Sequence, residues 1–203
     1  MPFRTGLFGG SFNPIHYGHL LLADEVAEAL SLDRVLFVPA AAPPHKPAAQ
    51  LAPAPDRYAM VELAVAGHPK FVVSDIELRR SGPSYTVDTL EAIRLPRPEL
   101  FLIMGSETFL DLLAWRAPQR VASLAQLVVV PRLGSVFDPE GAAVRKVVHD
   151  IGQEPLVVHA TSLPISASDL RRRAREARSL AYRLPPAVGD YIRARRLYRG
   201  EWS

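Results

Sequence analysis

The chain has 203 residues, of which 48% are hydrophobic and 22% are charged, a balance typical of one globular domain spanning residues 1–203. It has no cysteine, which excludes disulfide bonds, thiolate nucleophiles and Cys-ligated metal sites. The sequence has no uncharged apolar run of about 18 residues, the length of a transmembrane helix, and the N-terminus lacks the apolar stretch of a secretory signal. We therefore expect a cytoplasmic protein that does not bind membranes.

Positive charge is concentrated near the C-terminal end. The net charge is +3, and residues 171–203 alone hold 10 Arg against 3 acidic residues. Such a segment suits an anionic ligand, a nucleic acid or solubility. Because aromatic residues do not alternate with these arginines, we expect no nucleic-acid partner. An RNA-binding or nucleotide-binding module without catalytic activity is the alternative to an enzyme.

Short apolar runs alternate with helical patterns along the chain. A buried strand precedes the turn Gly9-Gly10, and a helix with leucines and alanines on one face follows. Segment 39–55 is a Pro/Ala-rich loop, too long for a simple connection. In chain order the predicted strands are 5–8, 35–38, 71–74, 100–104, 127–130 and 156–158, and the predicted helices are 18–30, 56–66, 87–95, 168–177 and 186–196.

This alternation predicts an α/β fold with a mostly parallel sheet, helices on both faces and right-handed crossovers. A helical part follows from about residue 166. In such sheets ligands bind beyond the carboxyl ends of the strands, so a site is expected at the first turn after a strand.

That first turn reads GGSFNPIHYGH, from Gly9 to His19. It lacks the Lys and the glycine spacing of the Walker A and GxGxxG loops. Two glycines nevertheless let the backbone approach a ligand closely. His16 and His19 stand where a helix begins, and free amides and the helix dipole favour phosphate there. Two imidazoles beside such amides suit charge that develops on a phosphate.

The two histidines have other interpretations. They could form a metal-binding pair, although no third ligand stands out, or they could be structural histidines in a turn. We predict no dedicated metal site.

Five segments in one order resemble those of a known family. GGSFNPIHYGH is similar to the G-G-[ST]-F-[DN]-P-x-H-x-G-H motif of the H-x-G-H nucleotidyltransferase superfamily, and ISASDLR, residues 165–171, resembles its second motif. PPHK (43–46), GPSYTVDTL (82–90) and MGSETFLDLLAWR (104–116) are similar to segments of bacterial nicotinate mononucleotide adenylyltransferases. By these segments the chain is identified as a member of that family.

The resemblance implies a Rossmann-like fold and a specific reaction. ATP and nicotinate mononucleotide would give nicotinate adenine dinucleotide (deamido-NAD) and pyrophosphate, a step of NAD biosynthesis, with Mg2+ carried by the ATP phosphates. The alternative is an adenylyltransferase acting on nicotinamide mononucleotide or on phosphopantetheine. The sequence does not specify an oligomeric state.

The resemblance also assigns roles to individual residues. As catalytic residues it implies His16, His19 and Arg171. As contacts to ATP it implies Gly9, Gly10, Ser11, Phe12, His16, His19, Gly105, Glu107, Arg132, Ile165, Ser166, Ser168 and Arg171. As contacts to nicotinate mononucleotide it implies Asn13, Lys46, Tyr85, Thr86 and Trp115.

Four of these residues have simpler interpretations. One of the serines Ser166 and Ser168 could only cap the helix that follows, and Thr86 could cap another. Trp115 could be a core tryptophan, because large aromatic side chains are usually well buried.

Three residues raise narrower questions. Lys46 could be an exposed loop lysine as readily as a phosphate ligand. Glu107 stands where the family usually has Asp, and its side chain is longer by one methylene at the position that the resemblance assigns to the ATP ribose. Asn13 replaces the commoner Asp of the first motif.

Overall fold

The computed structural model describes residues 3–131 and 137–199. Its strands are β1 (Thr5–Gly10), β2 (Arg34–Pro39), β3 (Phe71–Val73), β4 (Leu100–Gly105), β5 (Gln126–Val130) and β6 (Leu156–Val157). Its α-helices are α1 (Tyr17–Ala29), α2 (Ala54–Val65), α3 (Thr86–Ile93), α4 (Ser106–Leu110), α5 (Pro118–Leu124), α6 (Ala142–Ile151), α7 (Ala167–Arg175) and α8 (Pro186–Ala194). Within the described ranges, no helix has the length and apolarity needed to cross a membrane.

The strands form one six-stranded sheet in the order β3-β2-β1-β4-β5-β6. The pairs β1–β4, β4–β5 and β5–β6 are parallel, and Leu7 lies opposite Leu102 in the first of them. This is the strand order of doubly wound nucleotide-binding folds, in which ligands bind where the order reverses. The predicted α/β fold with a parallel sheet is confirmed, and the GGSFNPIHYGH segment follows the carboxyl end of β1, next to that reversal.

All six predicted strands and all five predicted helices are present, with bounds shifted by a few residues. Helices α4, α5 and α6 were not predicted. The first two are short, and α5 starts with Pro118 directly after Ala117, whose φ is 50°. For α6 a signal was available, because Val144, Val147 and Ile151 have helical spacing and are buried.

The chain divides into two compact units. The first unit comprises Met1–Gly9, Leu22–Leu36 and Tyr85–Ser162, and the second comprises Gly10–Leu21, Phe37–Ser84 and Leu163–Ser203. The single-domain organisation expected from the composition stays a prediction.

Each unit has an apolar core of its own. In the first, β-branched and leucine side chains of β4 and β5 are almost completely buried, among them Leu100, Leu127 and Val128. In the second, α2 packs against β3 and α8, and the buried side chains include Met60 and Val188. These cores hold the segments that carry the candidate site residues, which are distributed over both units.

Candidate active site

The turn that carries the first motif, residues 9–19 (the motif turn), is unusually buried for a loop. Phe12, Asn13 and His16 are all less than 8% exposed, and Phe12 has a φ of 43°. Gly9 and Gly10, at the end of β1, are exposed and half-buried. Buried backbone N–H and C=O groups need hydrogen-bond partners, so other segments must supply partners for the backbone of this turn.

The two motif histidines are stacked on each other. Their ring centroids are 3.7 Å apart, and the backbone N–H of His16 donates to Nδ1 of His19 over 3.3 Å. An Nδ1 that accepts a hydrogen bond is unprotonated, so the proton of a neutral His19 ring is on Nε2, which makes that atom a donor. The ring of Phe12 meets His19 edge-on at 5.3 Å between centroids. The pair is therefore pre-organised, with His19 half-exposed in the first turn of α1.

Arg57 of α2 supports this turn through hydrogen bonds, and it is not among the site residues predicted from the sequence. It is 1% exposed, and its guanidinium donates to the carbonyls of Ser11 (3.0 Å), Ala41 (3.1 Å) and Ala52 (2.9 Å) and also to that of Ala40. Burial lowers the pKa of Arg57, while its interactions with Tyr198 and Glu77 raise it.

A signal for Arg57 was present in the sequence. Arg57 shares a helix face with Met60 and Val61, which are buried. An arginine on the apolar face of a helix must find acceptors inside the protein.

Two further cations contact the same turn. Lys46 donates from Nζ to Oγ of Ser11 over 2.9 Å, and Arg171 donates from Nη1 to the carbonyl of Asn13 over 2.9 Å. Lys46 is an exposed residue, but desolvation of its ammonium, followed by repulsion from Arg171 and Arg57, lowers its pKa. Burial is also the main cause that lowers the pKa of Arg171.

Three cations thus converge on residues 11–13, and each side chain donates to this short segment. Two of them lower the pKa of the third, so a bound anion would relieve their repulsion. The arrangement is chemically suited to phosphate groups, because Lys46 is exposed and Arg171 is only partly buried.

Asn13 is held by its own side chain. Its Oδ1 accepts from the backbone N–H of Ala52 (3.0 Å) and from the hydroxyl of Tyr198 (2.9 Å), and its Nδ2 donates to the carbonyl of Gln50 (3.0 Å). An aspartate could not donate to that carbonyl, which explains the asparagine here. Both polar atoms of the Asn13 side chain thus have protein partners. The contact of Asn13 to nicotinate mononucleotide stays a prediction.

The second motif forms the start of α7. Ser166 is its N-cap residue, because its Oγ accepts from the backbone N–H of Asp169 over 3.2 Å. The simpler interpretation, that one of these serines caps the helix, thus applies to Ser166, and its contact to phosphate stays a prediction. The hydroxyl of Ser168 lies 3.1 Å from that of Ser166, both side chains are exposed, and Ile165 is half-buried beside them.

The first unit carries the remaining candidates. Tyr85 is at the N-cap position of α3, and Thr86 is the first helical residue, so Thr86 does not cap this helix. The Arg116 guanidinium lies 4.8 Å from the centre of the Tyr85 ring. Trp115 is half-buried, so it is not a fully enclosed core tryptophan.

Two candidates follow strand β4, and one lies outside the structure described. Gly105 ends β4 opposite Val130, and Glu107 is exposed in the first turn of α4. Arg132, a predicted contact to ATP, lies outside the described residues.

Within residues 3–131 and 137–199, no three His, Cys, Asp or Glu side chains lie together so that they could hold a metal ion.

Comparisons with known proteins decide the family. A relative from Thermus thermophilus with the name "Probable nicotinate-nucleotide adenylyltransferase" is 49% identical over 201 residues, which cover 97% of this chain and all of the relative. A relative of the same name from Geotalea daltonii is 42% identical over 211 residues, covering 96% of this chain and 98% of the relative. The family model described as cytidylyltransferase-like matches residues 7–173.

The chain belongs to the nicotinate-nucleotide adenylyltransferases, within the cytidylyltransferase-like family.

The fold of this family member is also found in solved structures. It matches a Plasmodium falciparum nicotinic acid mononucleotide adenylyltransferase complexed with NaAD with a TM-score of 0.78 and 19% identity, over 96% of this chain and 97% of that one. At this identity the likeness shows the fold alone. Both motifs of this family member, at 9–19 and 165–171, lie inside the range that the family model matches.

Proposed function

We propose that this protein transfers the adenylyl group of ATP to nicotinate mononucleotide and releases pyrophosphate, giving nicotinate adenine dinucleotide for NAD biosynthesis. Membership of the nicotinate-nucleotide adenylyltransferases supports this reaction. The observation on the molecule itself that carries it is the convergence of Lys46, Arg57 and Arg171 on the motif turn beside the stacked histidine pair.

The reaction is a single displacement at phosphorus. An oxygen of the mononucleotide 5′-phosphate attacks the α-phosphorus of ATP in line, the new P–O–P bond forms, and the bond to the β-phosphate oxygen breaks. The nucleophile is already ionised near pH 7, so the protein needs no general base. Its work is to position the reactants and to stabilise the charge that develops on the phosphates.

In this proposal the two motifs hold the triphosphate. The Nε2–H of His19 donates to phosphate oxygens, and His16, packed against it, holds its orientation. Arg171 contacts the departing pyrophosphate, and the hydroxyls of Ser166 and Ser168 contact the β- and γ-phosphates. The backbone of the first motif residues contacts ATP, at Gly9, Gly10, Ser11 and Phe12. Ile165 of the second motif also contacts ATP.

The other substrate contacts are assigned residue by residue. We assign Trp115 to stack on the pyridine ring, Tyr85 and Thr86 to contact its carboxylate, and Lys46 to contact the 5′-phosphate of the mononucleotide. Gly105 and Glu107 contact the adenosine ribose. Arg132 and Asn13 keep the roles that the resemblance implies.

Mg2+ carried by ATP would neutralise charge on the phosphate oxygens, with phosphates and water as its ligands. Lys46, Arg57 and Arg171 add positive charge at the motif turn. We also propose that the protein works in the cytoplasm, as the composition suggests.

The experiment compares three acceptors. Purified protein is incubated with ATP, Mg2+ and nicotinate mononucleotide, nicotinamide mononucleotide or phosphopantetheine, and pyrophosphate release and product mass are measured. We expect kcat/KM to be highest for nicotinate mononucleotide. Preference for one of the other two acceptors would replace the proposed reaction with that alternative.

A further inference from the structure

A buried tyrosine ties the C-terminal end of the described chain to the motif turn. Tyr198 is 1% exposed and follows α8, and its hydroxyl donates to Oδ1 of Asn13 over 2.9 Å. Burial is the main cause that raises the pKa of Tyr198, so the hydroxyl stays protonated and remains a donor throughout the neutral range.

The contact reaches a cation of the proposed triphosphate site through one residue. The side chain of Asn13 is held by Tyr198 and by the N–H of Ala52, and the carbonyl of the same Asn13 accepts from Arg171 over 2.9 Å. A change in the seating of Asn13 therefore moves an acceptor that orients the Arg171 guanidinium. Arg57 donates to the carbonyl of Ser11, two residues before Asn13, and so restrains the backbone of the turn on that side.

We propose that Tyr198 is a positioning residue, whose hydroxyl fixes Asn13 so that Arg171 meets the phosphates of ATP in productive geometry. The inference rests on the proposed function and deepens it. The hydroxyl touches no substrate, because it is buried and its proton is already donated to Asn13.

The ring and the hydroxyl of Tyr198 have separable effects. The buried ring supplies apolar contacts, which a phenylalanine would keep. The hydroxyl supplies one hydrogen bond, and its loss leaves Oδ1 of Asn13 with the Ala52 N–H as its remaining partner from this network. Tyr198→Phe therefore tests the positioning contact with little change in packing.

A matched control is available in α8. The hydroxyl of Tyr191 donates to Oδ1 of Asp56 over 2.8 Å, and that oxygen also accepts from Arg195 over 3.1 Å. Tyr191→Phe thus removes one tyrosine hydrogen bond from the same part of the chain without touching the motif turn. Melting temperatures of the two variants and near-UV circular dichroism establish that both fold.

The primary measurement is steady-state kinetics with ATP varied. We expect Tyr198→Phe to lower kcat/KM for ATP about five- to tenfold, the effect of losing roughly one buried hydrogen bond, and Tyr191→Phe to change it less than about twofold. The KM for nicotinate mononucleotide is measured alongside, because Asn13 is also assigned to that substrate, and an effect of Tyr198→Phe confined to this KM would contradict a role through Arg171. Equal effects of the two variants on kcat/KM for ATP would overturn the proposal.

A double-mutant cycle gives the second readout. If Tyr198 acts through Arg171, Tyr198→Phe should have no further effect on kcat/KM for ATP in an Arg171→Ala background, whereas independent effects would multiply. Multiplication would mean that Tyr198 does not work through Arg171.

Binding of ATP, measured by calorimetry without the acceptor, separates the two proposals. A wild-type protein that binds ATP but makes no dinucleotide would refute the proposed reaction. The dissociation constant of ATP would then test the role of Tyr198. The positioning role then requires weaker ATP binding for Tyr198→Phe than for Tyr191→Phe, and equal binding would contradict it.

Discussion

Gly18 leaves room for the imidazole of His16. A Cβ atom on Gly18 would lie 3.1 Å from both Cε1 and Nδ1 of that ring, closer than ordinary van der Waals contact. Gly18 is near the start of α1, where its backbone conformation is accessible to any residue. The glycine is therefore explained by the ring that packs against it and not by the backbone.

Gly18→Ala should separate stability from activity. Alanine favours a helix over glycine by up to about 1 kcal/mol, so the melting temperature should hold or rise. The added methyl group displaces the His16 ring and with it the stacked His19, and kcat should fall roughly tenfold or more, since small displacements in an active site are costly. Steady-state kinetics and thermal unfolding measure the two effects.

Gly189→Ala in α8 is the control for this change. There the new methyl group would meet the Leu184 Cδ1 atom at 3.3 Å, the far end of a flexible side chain. We expect unchanged kcat. A Gly18→Ala protein that melts at lower temperature and loses activity in proportion would mean that the glycine is only structural.

His19→Ala should remove a donor that acts in the transition state. We expect kcat to fall by about a hundredfold or more, the usual effect of losing such a donor, with little change in the melting temperature because the ring is half-exposed. Kinetics at saturating ATP and nicotinate mononucleotide test this. Activity that falls only in step with a lowered melting temperature would favour a structural histidine.

Trp115→Ala should weaken binding of the mononucleotide specifically. Stacking of a base on an aromatic ring is worth about 1–3 kcal/mol, so KM for nicotinate mononucleotide should rise about five- to a hundredfold. KM for ATP should hardly change. An unfolded variant, or equal damage to both substrates, would assign Trp115 to packing.

Arg171→Ala should show the opposite kinetic pattern. Its guanidinium is proposed to contact the leaving pyrophosphate, so KM for ATP should rise or kcat should fall, while KM for nicotinate mononucleotide stays nearly constant. The same initial-rate measurements decide it. Arg172→Ala is the control, because Arg172 is exposed and paired with Asp169.

Lys46 should give nicotinate mononucleotide binding a pH dependence on the alkaline side. Desolvation, Arg171 and Arg57 lower the pKa of Lys46, so its ammonium loses its charge at a lower pH than an ordinary lysine. KM for the mononucleotide should therefore rise with pH before ordinary lysines titrate. Lys46→Arg should remove this rise, since a guanidinium stays charged, while Lys146→Arg should leave it in place.

The contribution of Lys46 to the free energy of unfolding should increase with pH over the range in which mononucleotide binding weakens. A cation whose pKa is lowered by folding binds fewer protons in the native state, so its contribution to stability increases as pH rises from the lowered pKa to the unfolded value. The difference in melting temperature between wild type and Lys46→Arg across this range checks the sign. A KM that is flat with pH would mean that Lys46 does not contact the phosphate.

Local patterns were enough for the strands, for most helices and for the two motifs. Apolar runs bounded by turns mark strands, and the ordered segments from Gly9 to Arg171 indicate the family. These features depend on neighbouring residues, so they are readable without a structure. Even α6 was readable, from Val144, Val147 and Ile151.

The support of the motif turn was decided only by the tertiary structure. Arg57 reaches Ser11 across 46 positions, Arg171 reaches Asn13 across 158, and Tyr198 reaches Asn13 across 185. No local spacing records such contacts, because they form when the folded backbone brings distant donors to buried carbonyl and amide oxygens that must be satisfied. The sequence by itself determined which turn is the candidate for the chemistry, and the tertiary structure decided which distant side chains hold that turn in shape.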